Sequence, residues 1–224
     1  MTKDFSRGFS LIELIVLIAF LSILAAFVYP VLLSALERAK ITQDLNNLRQ
    51  IGLATQTYLS DNDNNLFSSG TSWMSQLHPK YLPGWNVFQS PFDKRQAAEG
   101  DTTSPVSYGV NASIYADPNN AMAAAKISRP VAFILFAPAQ TSSAPTVTFL
   151  GVAGTGAPGV TVLGIGSNTA TSSPGGNATG GPQNNRQRIN AVFADGHCES
   201  LPWTVFTNNT SSASDPWAAQ RWSP

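Results

Sequence analysis

Glu13 is the residue whose surroundings most demand chemistry. It stands four residues past Phe9, just ahead of LIVLIAFLSILAAFVYPVLL (Leu14 to Leu33), twenty residues without a charge and interrupted only by Ser22 and Pro30. A carboxylate at this depth in hydrocarbon costs roughly 2–3 kcal/mol or more and calls for a partner, unless it sits at headgroup level. Near the other end, Asp195 and His197 alternate along a potential strand and would share a face as an acid and a base do. No serine or cysteine stands in a nucleophile motif, however, and Cys198 would point to the opposite face, so enzymatic chemistry is not expected. Asp61, Asp63 and Asn65 alternate like the opening of a calcium loop, but the following Gly and the distant bidentate Glu of an EF-hand are missing. A helix-ending turn is the default there, and the three are weak calcium candidates only. With one cysteine and two histidines, His78 and His197, a metal centre is poorly supplied, and no cofactor is expected.

Composition narrows the partners. The 224 residues include 13 basic and 13 acidic side chains, so no net charge favours nucleic acid or an anionic surface. Charged residues make up 12% and hydrophobic residues 43%; polar neutral side chains replace charge, which suits an extracytoplasmic surface. The single cysteine excludes an intrachain disulfide.

The element that carries Glu13 must be a helix. Twenty apolar residues in helical form span about 30 Å, the thickness of a bilayer's hydrocarbon core. The run is longer than a usual secretory h-region, and Pro30-Val31 offers no small-x-small cleavage site. Pro30 lacks an N–H and is expected to kink or locally open the helix. Ser22 and Ala26, four apart, would permit close helix approach. Lys3 and Arg7 before the span are balanced by Arg38 and Lys40 after it, so charge alone does not orient it. From Val31 the pattern turns amphipathic: Ile41, Leu45, Leu48, Gly52, Thr55 and Leu59 recur at three- and four-residue steps, flanked by Ile51 and Tyr58. One rod of about fifty residues, roughly 75 Å, is expected, with its second half packed on a head and Gly52 admitting a strand.

The remainder reads as a β-rich head. Val131–Phe136, Thr146–Val152 and Val160–Ile165 are strand candidates, and Ile189–Ala194 with His197–Leu201 forms a hairpin around Asp195-Gly196, a pair that suits a type I′ turn. Residues 141–185 hold no charge and contain ten Gly and four Pro, which predicts a low-complexity excursion with a loose end over Thr169–Gln183. Trp73 and Trp85 read as core, with a glycan-binding face as the alternative; Lys80, Lys94 and Arg95 are too few to follow a nucleic-acid backbone. Trp217 and Trp222 are expected to anchor the tail.

The stretch GFSLIELIVLI behind the basic leader MTKDFSRG resembles the class III signal of type IV pilins and type II secretion pseudopilins. LRQIGLATQTYLSDNDNNLF, FQSPFD, SYGVN and FADGH resemble landmarks of prepilin-like proteins with a C-terminal DG motif. Two positions depart from that group: Ser90 stands where a cysteine is common, and Asn185 where a histidine precedes the aspartate by ten. The resemblance implies cleavage by prepilin peptidase between Gly8 and Phe9 and N-methylation of Phe9. It implies assembly through Glu13, Phe9 and Pro30, the Phe9 amine of a neighbour neutralising Glu13.

The expected fold is α+β: a long N-terminal helix, membrane-spanning and then amphipathic, packed on a C-terminal antiparallel sheet. The expected segments are 1–8 leader, 9–35 membrane or filament-core helix, 36–60 amphipathic helix and 61–224 head. The expected function is a structural subunit of a type IV pilus or a type II secretion pseudopilus. Its partners would be copies of itself in a helical filament, prepilin peptidase, an inner-membrane assembly platform and ATPase, other minor pilins, and the bilayer before assembly. The expected location is the bacterial inner membrane, single-pass with the N-terminus cytoplasmic and the head outside, then a periplasmic or surface filament. The alternative is a monomeric membrane-anchored module that binds glycan or protein through Trp73, Trp85 or the uncharged loop.

Overall fold

The computed structural model describes residues 9–115, 121–140, 147–154, 162–166, 169–172, 176–177 and 180–224. Gly8, with the rest of the expected leader, and parts of the 141–185 excursion lie outside the described residues. The chain divides into two compact units, Met1–Ala39 and Lys40–Pro224.

Helix α1, Leu11–Asp61, runs through Pro30 without a break. Proline there leaves the Ala26 carbonyl without its usual donor. Ser22 Oγ donates to the Ile18 carbonyl (2.7 Å), and Ser34 Oγ to the Pro30 carbonyl (3.1 Å), so the polar side chains of this stretch are satisfied on the helix itself. The first part of α1 is long and apolar enough to cross a membrane.

Within the second unit, α1 buries Leu48, Ile51, Gly52, Ala54, Thr55 and Leu59, while Ile41, Leu45 and Tyr58 are half-buried. Two polar residues outside the expected stripe, Asp44 and Asn47, are also buried. Gly52 works by close approach: a Cβ at that position would lie 3.0 Å from Val192 Cγ2. The helix ends in a turn with Asp63 and Asn64 at positive φ, a conformation Asn and Asp tolerate, closed by a bond from Asn64 N–H to the Leu59 carbonyl (2.8 Å).

A short helix, α2, covers Trp73–Leu77. The strands are β1 Tyr108–Asn111, β2 Ile134–Pro138, β3 Val162–Gly166, β4 Thr169–Ser172, β5 Gly176–Asn177, β6 Arg188–Phe193 and β7 Cys198–Pro202, followed by α3, Trp203–Phe206. They form one sheet in the order β5-β4-β3-β1-β2-β6-β7. β1-β2-β6-β7 is antiparallel throughout, as expected, but β3 runs parallel to β1, so the whole sheet is mixed.

The expected strand at Val131–Phe136 is displaced to β2. Its uniformly apolar run is explained by burial on both faces, with a register shift between Ile134 and Phe136 that turns Leu135 and Phe136 toward the same core. Of Thr146–Val152, the described part makes only isolated bridges, Phe149 with Gln140 and Val152 with Pro105. The expected loose end over Thr169–Gln183 instead supplies β4 and β5, and Gly180–Gln183 is buried.

Two cores result. The larger packs the second half of α1 and the aromatic segment Phe67–Phe88 on one sheet face, with Phe136 and Val192 facing them. The smaller lies on the reverse face, where Phe206 and Trp222 from the tail cover Ile134, Ile189 and Phe193. Trp222 is anchored by its indole N–H on the Phe206 carbonyl (3.0 Å), whereas Trp217 is partly exposed beneath the Arg129 guanidinium, 3.2 Å from the ring centroid. Of the two tail tryptophans expected to anchor, Trp222 therefore does so by burial and Trp217 does not.

Candidate functional site

At the start of α1, Phe9 is exposed and Ser10 precedes the first helical residue. The Leu14 N–H bonds to the Ser10 carbonyl (3.2 Å), and the Ser10 N–H donates to Glu13 Oε2 (2.9 Å). Ser10 and Glu13 thus form the carboxylate half of a capping box: the acid sits three residues into the helix, satisfies an N–H and meets the positive end of the helix dipole. Glu13 therefore has a partner within its own chain, which the spacing Ser10-x-x-Glu13 could have revealed. A carboxylate has about four lone-pair sites, so one bond leaves capacity for a further donor. Around it, Phe9, Ile12, Val16, Leu17 and Phe20 line an apolar recess. Because the donor is the amide of Ser10, the bond would survive a cut before Phe9.

In the head, the short motifs prove to be the sources of two buried carboxylate clusters. Asp44, on α1, is wholly buried. Its Oδ1 accepts from Ser90 Oγ (2.6 Å) and the Tyr108 hydroxyl (2.8 Å), and its Oδ2 from Asn190 Nδ2 (2.9 Å) and Gln183 Nε2 (3.4 Å). Asn190 Nδ2 also donates to the Ile41 carbonyl (3.1 Å), and Asn47 Nδ2 to the Gln89 carbonyl (3.0 Å), so the helix is stitched to β6 and to the loop before β1. Burial pushes the Asp44 carboxyl up to about 6, against hydrogen bonds from Ser90, Tyr108, Asn190 and Gln183 that favour its ionised form. The Tyr108 hydroxyl is pushed well above its ordinary range by burial and by the carboxylate beside it.

The second cluster centres on Asp93. Arg95 grips it through Nε (3.0 Å) and Nη2 (2.7 Å), and Ser107 Oγ donates to it (2.6 Å). Arg95 also donates to the carbonyls of Gly151 (2.7 Å) and Val106 (3.1 Å), which ties three loop segments together. Burial alone would raise the Asp93 carboxyl; the bonds from Arg95 and Ser107 outweigh it and hold the group below the usual range. Ser90, where the group that the chain resembles commonly has a cysteine, thus serves as a donor to Asp44. Asn185, at the other departure, lies exposed at φ 55 in a left-handed turn, a conformation that asparagine favours.

The remaining sequence candidates fall into separate settings. His197 Nδ1 lies 2.6 Å from Asp195 Oδ1, and its ring stacks on Phe193 with centroids 4.2 Å apart. Both residues belong to the β6–β7 turn rather than to a strand. Only Gly196 has positive φ there, with its N–H bonded to the Phe193 carbonyl (2.9 Å), so the connection is a type I turn with a left-handed glycine and not type I′. Cys198 packs toward the larger core, and burial raises its thiol. His78 stacks on Trp85 (4.2 Å) and faces Asp101 (3.5 Å), a different set of partners from those of His197.

Asp61 is taken up by Lys80 Nζ (2.7 Å) and the Tyr81 hydroxyl (3.0 Å), which lower its carboxyl. Asp63 lies in the helix-ending turn and Asn65 bridges to Ala123; among the described residues no cluster of three or more His, Cys, Asp or Glu side chains could hold a metal ion. Trp73 and Trp85 are 1% and 3% exposed, so neither presents a face to a sugar. No family model, curated protein or solved structure matches the chain.

Proposed function

We propose that the chain is a pilin-like subunit, cut between Gly8 and Phe9 and polymerised into a type IV pilus or a type II secretion pseudopilus. The observation that carries this reading is the surface of residues 9–36. Large apolar side chains from Phe9 to Leu36 are exposed all round the helix, and Glu13 is the one charged residue among them. Such a surface needs lipid, or helices of its own kind, on every side. A plain anchor would need the lipid but not the acid. In a filament, the Phe9 amine of a neighbour would fill the capacity that the Ser10 bond leaves on Glu13, joining two charges that are costly apart. Pro30, placed in the same apolar stretch, would let the helix adapt to its neighbours.

The proposed order of events is insertion with the N-terminus cytoplasmic, removal of residues 1–8 by prepilin peptidase, and extraction by an inner-membrane platform and ATPase into a filament that can include other minor pilins. The chain itself would be the moved part, with a structural rather than an enzymatic role. For the competing tethered module, the burial of Trp73 and Trp85 removes the aromatic face that favoured a glycan.

Replacing Gly8 with the bulky, charged side chain of Gly8→Glu tests the processing step. Immunoblots of membranes should show the full 224-residue chain in place of one eight residues shorter. Cleavage that continues unchanged in Gly8→Glu would contradict a prepilin-peptidase site.

A further inference from the structure

Asp44 is an ionisable group that filament assembly leaves unused. Its donors come from four segments: Ser90 before β1, Tyr108 on β1, Gln183 before β6 and Asn190 on β6. All four are neutral, so hydrogen bonds replace part of the lost hydration but no counter-charge does. The charged groups on the same elements are engaged elsewhere or face solvent. Lys40 and Arg49 on α1 are exposed, and Arg95 grips Asp93. Arg188 bonds to Ser200, and Arg186 to Gln140. Among the described residues, Tyr108 is the one titratable group in contact with the carboxylate, and it donates to it.

A second observation concerns what the carboxyl meets. Asp44 Oδ1 is met by two hydroxyls, those of Ser90 and Tyr108. A hydroxyl can accept as well as donate, so a protonated Asp44 still finds a partner in the same cluster.

We propose that Asp44 is a proton-operated latch between α1 and the sheet: the neutral carboxyl holds the second half of the helix on β1 and β6, and ionisation loosens that grip. The raised value of about 6, caused first by burial, puts the switch in the mildly acidic range. An acid whose value in the fold lies above the 3.8 of the open chain stabilises the fold most below 3.8, and loses that contribution as pH rises through about 6. Between these limits the folded head binds the extra proton, so acidification favours it. The latch belongs to the head's own packing and does not rest on the chain polymerising.

The test uses the full chain in detergent. All five tryptophans, from Trp73 to Trp222, lie beyond α1, so their fluorescence reports unfolding of the head. The thermal midpoint is expected to rise by about 5–10 °C between pH 7.5 and pH 4.5, and to be nearly flat in Asp44→Asn over the same range. Histidine as a residue type ordinarily titrates in this range, so the control variant His78→Gln with His197→Gln must keep the rise. A flat wild-type profile, the same rise in Asp44→Asn, or loss of the rise in the histidine variant would overturn the latch. Should Asp44→Asn not fold, Tyr108→Phe decides. Removing a donor to the ionised form is expected to move the centre of the pH dependence upward, and a centre that stays or falls would overturn the proposal.

Discussion

Glu13→Leu and Glu13→Gln should both insert in the membrane normally, yet each is expected to reduce sheared filament by roughly tenfold or more when it is the only copy of the chain. The size follows from leaving a neighbour's Phe9 amine without its counter-charge, since an unpaired buried charge costs about 3–5 kcal/mol and each 1.4 kcal/mol is a factor of ten. The pair of variants separates two jobs that the structure gives one side chain. Glutamine three residues into a helix can still accept from the Ser10 N–H, as Glu13 Oε2 does. Leucine cannot. If Glu13→Gln assembles normally and only Glu13→Leu fails, the carboxylate's work is capping its own helix, and the intersubunit pair is wrong. If both fail while crosslinking finds the helices still inserted, the charge is what assembly needs.

The second large effect is expected in the head. Trp73 packs against the rings of Phe136 (4.7 Å), Phe88 (5.6 Å) and Phe67 (6.2 Å), joining α2 to β2 and to the loop beyond α1. Trp73→Ala removes the largest of the fully buried side chains and opens a cavity that the surrounding rings can fill only in part. The expected cost is about 3–5 kcal/mol, read as a fall of about 10 °C in the fluorescence midpoint. A variant that keeps the wild-type midpoint but loses binding to a glycan array would mean that Trp73 serves recognition instead of packing.

Hydropathy makes α1 readable from its sequence because burial in lipid and burial on a sheet leave different marks: unbroken apolarity before about residue 36, and a three-to-four periodicity after it. The periodic signal finds Leu48, Ile51, Gly52, Thr55 and Leu59, yet passes over Asp44 and Asn47, since a buried polar residue on a helix looks like a solvated one until its partners are known. Those partners lie 46, 64 and 146 residues away at Ser90, Tyr108 and Asn190, and nothing local announces them. The family-like fragments FQSPFD and SYGVN mark the places without giving the reason. In the structure, Ser90 and Tyr108 donate to Asp44, while Asp93 is itself the second buried carboxylate and accepts from Ser107.

The β-hairpin was legible from its Asp-Gly pair, while the turn type was not. Asp195 lacks the positive φ that type I′ requires, and Gly196 alone turns left-handed. β1 carries buried polar and apolar residues on both faces, Tyr108 and Asn111 among them, so it offers no alternation to find. The parallel pairing of β3 with β1 joins strands with β2 between them in sequence, a long-range choice that periodicity does not encode.

Processing and polymerisation meet in one observable, the intact mass of the chain in sheared surface material and in the native membrane. Subunits from the sheared fraction should begin at Phe9, lack residues 1–8 and carry one added methyl group on the new amine. An uncut 224-residue chain confined to the membrane, with none in the sheared fraction, would contradict the filament and leave the apolar helix as an anchor.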